Sequence, residues 1–221
     1  MSEESVHPEA AAIADLIGPE HSSIQREMAA HAREESFPIV GPRVGAWLMT
    51  LAGTVGADRV FEFGSGFGYS ASWFLRGMGP DGEVVLTEID ADELALAERY
   101  FETAGEADRA RFERGDAIEI VESYDGPFDV VLLDNEKDRY QGAFEAVEGK
   151  LRPGSVVVAD NVLAGPTDRG AVRALLEGES LPETGDTSRG IAAYLRHVRD
   201  RPGETVLVPF GEGLSVTHIV E

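Results

Sequence analysis

The sequence predicts an α/β protein with a Rossmann-like, doubly wound sheet of about seven strands and an antiparallel C-terminal hairpin. Two observations lead to this fold class. Short β-branched runs alternate with helical patterns between residues 60 and 161, which is typical of parallel strands joined by crossover helices. Two further strand-like runs, 205–209 and 214–220, are joined by Gly211-Glu212-Gly213, which predicts a closing hairpin.

The composition is that of a single globular domain with an unusual charge balance. The chain has 221 residues, of which 43% are hydrophobic, and its 41 acidic and 19 basic residues give a net charge of −22. Only two basic residues are lysines, Lys137 and Lys150. This pattern resembles the proteins of extreme halophiles, whose surface carboxylates keep them soluble in concentrated salt. Acidity disfavours nucleic acid as a partner, but does not exclude it where a whole proteome is acidic.

Several classes of protein are excluded by what the sequence lacks. The chain contains no cysteine, which rules out disulfides, thiolate metal ligands and cysteine nucleophiles. No apolar stretch reaches the roughly 20 residues that a membrane-spanning helix needs. Residues 1–5, MSEES, lack the basic and apolar regions of a signal peptide. We therefore expect a cytoplasmic protein without a membrane partner.

The chain begins with an N-terminal helical extension, residues 1–36, in which short apolar spacings predict two small amphipathic helices. This extension could be a lid or an interface arm, or it could pack as a cap. Residues 37–221 are expected to form the main domain. Its predicted strands are 60–63, 84–87, 110–113, 128–133 and 155–159, and its predicted helices are 44–52, 69–75, 91–103, 140–150, 171–176 and 191–198.

The turn after the first strand, Gly64-x-Gly66-x-Gly68, leads directly into a helix. Such a turn lets a ligand approach the backbone, and a helix N-terminus favours a carboxylate or phosphate. Glu88 ends the second strand, where an acid can bind ribose hydroxyls, and Asp116 follows the third, where a side chain can meet adenine. Three strand ends in this order predict a ligand that contains adenosine. The glycine spacing differs from the Gly-x-Gly-x-x-Gly of a dinucleotide site.

Glu62 lies inside the first strand, between Phe61 and Phe63. A carboxylate in such a position is costly to bury unless it is paired or hydrogen-bonded. We favour a structural role, in which Glu62 holds the glycine turn in shape. Binding the ammonium group of a ligand is the alternative.

Polar side chains also end the fourth and fifth strands. Asp134 ends the fourth, Asp160 and Asn161 end the fifth, and Lys137 lies three residues beyond Asp134. Because the carboxyl ends of parallel strands meet at one edge, we expect these side chains to converge. Each could be a helix cap or turn residue, but three oxygen ligands together suit Mg²⁺ or Ca²⁺. A lysine retained in a lysine-poor chain points to a base, since arginine stays protonated.

Four segments resemble the metal-dependent O-methyltransferases of the catechol and caffeoyl-CoA type. They are 60–71 (VFEFGSGFGYSA), 132–140 (LLDNEKDRY), 151–163 (LRPGSVVVADNVL) and 209–214 (PFGEGL), and the likeness covers about residues 37–221. The resemblance implies the class I methyltransferase fold, with S-adenosylmethionine lying over the glycine turn. By matched position it implies the cofactor-binding residues Glu62, Gly64, Gly66, Tyr69, Ser70, Glu88, Asp116, Ala117 and Asp134.

The same resemblance implies a reaction centre that transfers a methyl group to a hydroxyl of a small, catechol-like acceptor. It implies a homodimer, Lys137 as the catalytic base, and a divalent metal, Mg²⁺, held by Asp134, Asp160 and Asn161. Two departures from the family pattern concern the acceptor. Asn135 and Glu136 precede the lysine, and the loop after Asn161 lacks an aromatic residue often found near the acceptor. The acceptor's identity therefore stays open.

Other functions are compatible with parts of the sequence. An RNA hydroxyl is an alternative acceptor for the same fold. A serine hydrolase is suggested by Ser70 in Gly68-Tyr-Ser-Ala-Ser72, with His197 or His218 completing a triad, although the last glycine of a nucleophile elbow is missing. The glycine spacing disfavours a nicotinamide dehydrogenase. The complete set of two aspartates, an asparagine and a lysine disfavours a protein that binds S-adenosylmethionine without turnover.

Overall fold

A computed structural model describes residues 8–201 and 203–220, and its centre is a seven-stranded sheet. The strands are β1 (Arg59–Phe63), β2 (Glu83–Glu88), β3 (Ala110–Arg114), β4 (Phe128–Leu133), β5 (Leu151–Ala159), β6 (Glu204–Val208) and β7 (Leu214–His218). Their order is β3-β2-β1-β4-β5-β7-β6. The first five strands run parallel, whereas β7 pairs antiparallel with both β5 and β6. The predicted doubly wound sheet with its antiparallel C-terminal hairpin is confirmed.

Helices cover both faces of this sheet. They are α1 (Pro8–Ile17), α2 (Ser23–Glu35), α3 (Gly41–Val55), α4 (Tyr69–Gly77), α5 (Ala91–Ala104), α6 (Ala117–Glu122), α7 (Tyr140–Glu148), α8 (Arg169–Leu176) and α9 (Asp186–Arg199). Polar residues start several of them. Ser22 forms a capping box with Gln25, and Asp90 accepts hydrogen bonds from the first-turn amides of α5, which satisfies backbone donors that a helix leaves unpaired.

The two faces of the sheet bury two separate hydrophobic cores. Along β4, Val130 and Leu132 point into the core shared with α2 to α5, whereas Val131 and Leu133 point into the core shared with α6, α7 and α9. All four side chains are fully buried. Burial of a side chain of this size stabilises a fold by about 1.5–3 kcal/mol. The continuous apolar run of β4 is thus the consequence of a parallel sheet covered on both sides.

Two elements differ from the sequence prediction. α6 follows Asp116 directly and was absent from the prediction, because its six residues, AIEIVE, span fewer than two helical turns and are too few to establish a helical period. β5 begins at Leu151 and includes Arg152-Pro153-Gly154, which the prediction treated as the end of the preceding helix. Those three residues are exposed at the start of the strand, where proline is tolerated.

The N-terminal extension contains the two predicted helices. α2 contributes Met28 and Ala32 to the first core. α1 is joined to α3 by an exposed ion pair between Asp15 and Arg43. Residues 1–7 of the extension lie outside the described residues. They include residues 1–5, from which the sequence predicts that there is no signal peptide. Among the described residues, no helix combines the length and the apolar character that crossing a membrane requires.

Candidate active site

A cavity of about 540 Å³ opens at the carboxyl ends of β1, β2, β4 and β5. Every site residue that the sequence predicts lines this cavity, with the exception of Glu62. The parallel topology therefore brings the glycine turn, Glu88, Asp116 and the polar ends of β4 and β5 to one place, as expected from the strand order.

The glycine turn packs closely against neighbouring segments. Gly64 has a positive φ of 80°, and a β-carbon there would lie 2.9 Å from the carbonyl oxygen of Asp134. Gly66 also has a positive φ, and a β-carbon there would lie 2.9 Å from the ring of Phe37. Only glycine combines this backbone conformation with such close neighbours. The turn is therefore fixed between the end of β4 and the loop that carries Phe37.

The carboxylate of Glu88 braces the same turn. It accepts hydrogen bonds from the backbone amides of Gly66 at 2.9 Å, Ile89 at 2.8 Å and Asp90 at 3.0 Å. Two of these reach Oε1 and one reaches Oε2, so Oε2 keeps one acceptor site. Glu88 can hold the turn and still accept a hydrogen bond from one ligand hydroxyl.

Asp116 forms the next part of the cavity wall, at the start of α6. Its Oδ1 accepts a hydrogen bond from the amide of Ile118 at 3.0 Å, and its Oδ2 pairs with Arg139 at 2.6 Å. Burial raises the pKa of Asp116, but the Arg139 guanidinium and the Ile118 amide lower the pKa by more, so it lies below its usual value. Each oxygen accepts one hydrogen bond and keeps a further acceptor site, so both the Asp116 carboxylate and the backbone at Asp116 and Ala117 are available to a ligand.

Glu62 is fully buried near Ser70, and neither of its carboxyl oxygens has a hydrogen-bond partner among the described residues. Burial raises its pKa to about 8; the nearby Ser70 hydroxyl opposes the rise without forming a hydrogen bond, and the charge of Asp134 adds to it. Within the described part of the chain, no hydrogen bond joins the Glu62 carboxyl group to the glycine turn. Its carboxyl group is instead an unpaired acid behind Ser70, which lines the cavity.

Lys137 lies at the centre of a hydrogen-bonded chain that links β4 to β5. Its Nζ donates to Oδ1 of Asp134 at 2.7 Å and to the hydroxyl of Tyr140 at 2.8 Å. The Tyr140 hydroxyl donates in turn to the carbonyl oxygen of Asp160 at 3.0 Å. Burial, with added repulsion from both aspartates, raises the pKa of Tyr140 well above its usual range, so this hydroxyl keeps its proton and acts as a donor.

The two aspartates, Asp134 and Asp160, lie close enough for their charges to interact. Burial raises the pKa of Asp160 to about 7, and the charge of Asp134 contributes to the rise. Burial also raises the pKa of Asp134, although the Lys137 ammonium opposes that rise. Within the described part of the chain, no three His, Cys, Asp or Glu side chains form a metal-binding group. A metal here would therefore depend on two carboxylates and the amide oxygen of Asn161, a donor set that suits a hard divalent cation.

Comparison with known proteins gives the family. The model of the O-methyltransferase family matches residues 19–175. The chain belongs to the O-methyltransferase family. It is 32% identical over 157 residues to a catechol O-methyltransferase of Niastella koreensis, which covers 68% of this chain and 71% of the relative. It is 33% identical over 151 residues to a catechol O-methyltransferase of Mycobacterium tuberculosis, which covers 68% and 69%.

Solved structures of O-methyltransferases share the fold of this enzyme. TomG of Streptomyces achromogenes, an enzyme of tomaymycin synthesis in complex with SAM, matches with a TM-score of 0.83 and 24% identity over 100% of both chains. An O-methyltransferase from Bacillus cereus in complex with SAH matches with a TM-score of 0.80 and 23% identity, over 94% of this chain and 96% of the other. The predicted fold and the predicted enzyme class, an S-adenosylmethionine-dependent O-methyltransferase, are confirmed.

The rival prediction of a serine hydrolase is wrong for this O-methyltransferase. His197 packs against the ring of Phe144 and lies 3.6 Å from a carboxyl oxygen of Glu145. His218 ends β7, on the antiparallel side of the sheet. Among the described residues, neither histidine forms a hydrogen bond with Ser70, so no catalytic triad is present.

Several residues of the site were not predicted. Tyr140 was assigned only to a helix, although its spacing of three residues from Lys137 places the two side chains on one helical face. The loop 37–40 lines one side of the cavity, and Pro166 with Gly211 and Glu212 lines another. No local pattern marks these segments, because they reach the cavity only when the N-terminal helices and the C-terminal hairpin are packed.

Proposed function

We propose that this enzyme transfers the methyl group of S-adenosylmethionine to a hydroxyl of a small, catechol-like acceptor held by a divalent metal, Mg²⁺. The observation that carries the proposal is the convergence of Lys137, Asp134, Tyr140 and Asp160 at the joined ends of β4 and β5. The catechol O-methyltransferases among its relatives support the acceptor class.

S-adenosylmethionine supplies the reactive methyl group, and the cavity offers groups suited to each of its parts. Glu62 lies behind Ser70 and does not itself line the cavity. Its carboxyl group, unpaired among the described residues, is nevertheless suited to an ammonium group that reaches it past Ser70, because burying an acid without a partner is costly. The free acceptor site of Glu88 is suited to a ribose hydroxyl. Gly64, Gly66 and Tyr69 border the space between them, and Asp116 with Ala117 borders the adenine end. For Glu62 we therefore propose ligand binding, the alternative to the structural role favoured from the sequence.

The residues Asp134, Asp160 and Asn161 would hold the metal, which would bind the acceptor oxygens and make the hydroxyl more acidic. The fit rests on the two mutually repelling acids, since a cation between them offsets the repulsion that contributes to the raised pKa of Asp160. Backbone hydrogen bonds also fix this end of the sheet. The amide of Asp160 donates to the carbonyl oxygen of Leu133 at 3.1 Å, and the amide of Asn161 donates to Oδ1 of Asp160 at 2.7 Å.

Lys137 is proposed to remove the proton from the acceptor hydroxyl. In its neutral form the amine would donate its two N–H groups to Asp134 and Tyr140, which would direct its lone pair to the acceptor hydroxyl. Its side chain is only 12% exposed, so bulk water has little access to the group. Orientation of this kind is a large part of the catalysis available to a methyl transfer.

The cavity and the surface charge support a small molecule over RNA as the acceptor. Donor and acceptor must share about 540 Å³, and a net charge of −22 gives little attraction for phosphates. The loop 37–40 and the segment around Pro166 border the space left for the acceptor. The acidic composition further supports activity in concentrated salt.

We also propose that the enzyme is a homodimer in which α1 acts as an interface arm. Three apolar side chains of this helix are strongly exposed: Ile13 at 61%, Leu16 at 83% and Ile17 at 82%. They lie on neighbouring turns of one short helix. A contiguous exposed apolar surface of this kind is typical of an interaction site.

The test is methyl transfer from labelled S-adenosylmethionine to a panel of catechols and hydroxycinnamoyl compounds in molar KCl, with Mg²⁺ or with EDTA. Product that depends on Mg²⁺ supports the proposal and ranks the acceptors. Product that persists in EDTA would remove the metal from it. Calorimetric binding of S-adenosylmethionine without product on the panel would overturn the catechol-like acceptor and direct the search to other hydroxyls, RNA included.

A further inference from the structure

The C-terminal hairpin places a third acid, Glu212, beside the proposed metal ligands Asp134, Asp160 and Asn161. Its Oε2 lies 2.5 Å from Nδ2, the side-chain amide nitrogen, of Asn161. Glu212 lines the same cavity as Asp134 and Asp160, and its charge raises the pKa of both. Glu212 has no part in the proposed metal binding by Asp134, Asp160 and Asn161 or in the proposed proton removal by Lys137.

Backbone pairing holds Glu212 in this position. The amide of Leu163 donates to the carbonyl oxygen of Glu212 at 3.1 Å, and the amide of Val162 donates to that of Gly213 at 3.0 Å. The segment after Asn161 and the tip of the hairpin are therefore joined side by side. Gly213 has a φ of 88°, and a β-carbon there would lie 2.4 Å from a side-chain carbon of Leu163. The two segments approach this closely only with glycine at that position.

Asn161 itself is held in an unusual conformation. Its φ is 57°, one of two positive values among the described non-glycine residues. Its backbone amide donates to Asp160, its carbonyl oxygen accepts from the hydroxyl of Thr167 at 2.9 Å, and its side chain donates to Glu212. Such conformations cost free energy and persist where surrounding contacts enforce them. The contacts here fix both the backbone and the side chain of one proposed ligand.

The chemistry of the contact determines which way the Asn161 amide faces. A carboxylate only accepts hydrogen bonds, so the NH₂ group of Asn161 must point to Glu212. The side-chain oxygen of Asn161 lies in the same plane as the NH₂ group and points in the other direction, away from Glu212. An amide oxygen is a suitable ligand for a hard cation, whereas an amide nitrogen is not.

We propose that Glu212 is a positioning residue that fixes the orientation of the Asn161 side chain, so that its oxygen is available to the divalent metal. This inference rests on the proposed metal-dependent function. It adds a residue from the C-terminal hairpin to a site otherwise built from β4 and β5. Partners that orient metal ligands typically contribute 10–100-fold to metal affinity, as an order of magnitude.

The test is a titration of the purified full-length enzyme with Mn²⁺, followed by the loss of its free-ion electron paramagnetic resonance signal. Glu212→Ala should weaken Mn²⁺ binding by about 10-fold or more. Glu212→Gln retains a carbonyl oxygen that can accept the same hydrogen bond, so its affinity should stay within about threefold of wild type. Glu204→Ala, an exposed acid in the same hairpin, is the matched control and should bind like wild type.

A double-mutant cycle isolates the contact. In an Asn161→Ala background, Glu212→Ala should cause no further loss of affinity, because the side chain that it orients is absent. Unchanged binding in Glu212→Ala would overturn the inference, and so would an equal loss in Glu212→Gln, which would assign the effect to charge. Wild-type enzyme that binds no Mn²⁺ would instead refute the metal-dependent function, so the two failures are distinguishable. Calorimetric affinity for S-adenosylmethionine serves as the check that each variant is folded.

Discussion

Replacing Glu62 with glutamine should make this enzyme more stable and at the same time weaken its binding of S-adenosylmethionine. The carboxyl group is fully buried and has no hydrogen-bond partner among the residues that the structure describes, and burial raises its pKa from 4.5 to about 8. Glutamine has the same shape as the protonated acid but never becomes charged. The stabilisation should therefore depend on pH, whereas an ordinary change in packing would not.

The magnitude follows from linkage between protonation and folding. Because the folded state binds this proton more tightly than the unfolded chain, the wild type is most stable below pH 4.5 and loses stability as pH rises towards 8. The two pKa values differ by 3.5 units, which corresponds to about 5 kcal/mol of unfolding free energy lost when the pH exceeds both, at about 1.4 kcal/mol per unit. At pH 7, which is 2.5 units above the unfolded-state pKa of 4.5, the loss of unfolding free energy is about 3.5 kcal/mol. Glu62→Gln should thus match wild type near pH 4.5 and exceed it increasingly at neutral and alkaline pH.

Urea unfolding of the cofactor-free enzyme at pH 5, 7 and 8.5 measures this difference, with Glu204→Gln as an exposed control that should follow wild type. A stability gap between Glu62→Gln and wild type that is the same at every pH would refute the titration of Glu62. Isothermal calorimetry with S-adenosylmethionine tests the second half of the prediction. Equal affinity in the two proteins would show that this carboxyl group does not face the ligand's ammonium group.

Three further predictions concern the reaction centre and α1. Lys137→Arg keeps a cation beside Asp134 but removes a base, so kcat should fall by about 100-fold or more while S-adenosylmethionine affinity stays within about threefold; an unchanged kcat would remove Lys137 from the reaction. Asp160→Ala deletes a proposed ligand and should weaken Mn²⁺ binding by more than about 10-fold, the loss expected for a ligand's partner; an unaltered titration would contradict the ligand assignment. Leu16→Asp combined with Ile17→Asp should give a monomer by light scattering in molar KCl, because charges cannot be buried unpaired in an interface; a wild type that is already monomeric would disprove the interface.

The sequence was sufficient for the sheet because each central strand is buried on both faces. β4 and β5 are apolar runs that end abruptly in Asp134 and Asp160, and parallel topology then brings those ends together. The grouping of site residues followed from the same rule without knowledge of any side-chain contact. What carried the prediction was the abrupt change from apolar to polar residues, which marks the edge of the sheet.

Contacts between distant segments could not be predicted in this way. Glu212 meets Asn161 across 51 positions of sequence, and Phe37 meets Gly66 through the packing of a loop. The surroundings of the Glu62 carboxyl group could not be predicted either, since an acid inside a strand can be hydrogen-bonded or free, and only the neighbouring atoms decide. α6 was missed because its six residues span fewer than two turns, too few to establish a helical period.

The hydrogen-bonded ladder of the sheet continues one residue beyond several strands, and this explains how the site is both precise and polar. The amide of Asp134 donates to the carbonyl oxygen of Phe63 at 2.9 Å, and the amide of Asp160 donates to that of Leu133 at 3.1 Å. Each acid therefore has a backbone fixed by the sheet and a side chain at the cavity. Sites on such rigid elements keep their geometry better than sites on loops. Asn161 lies one residue further, beyond the ladder. Its side chain is held instead by the hydrogen bond to Glu212 of the hairpin.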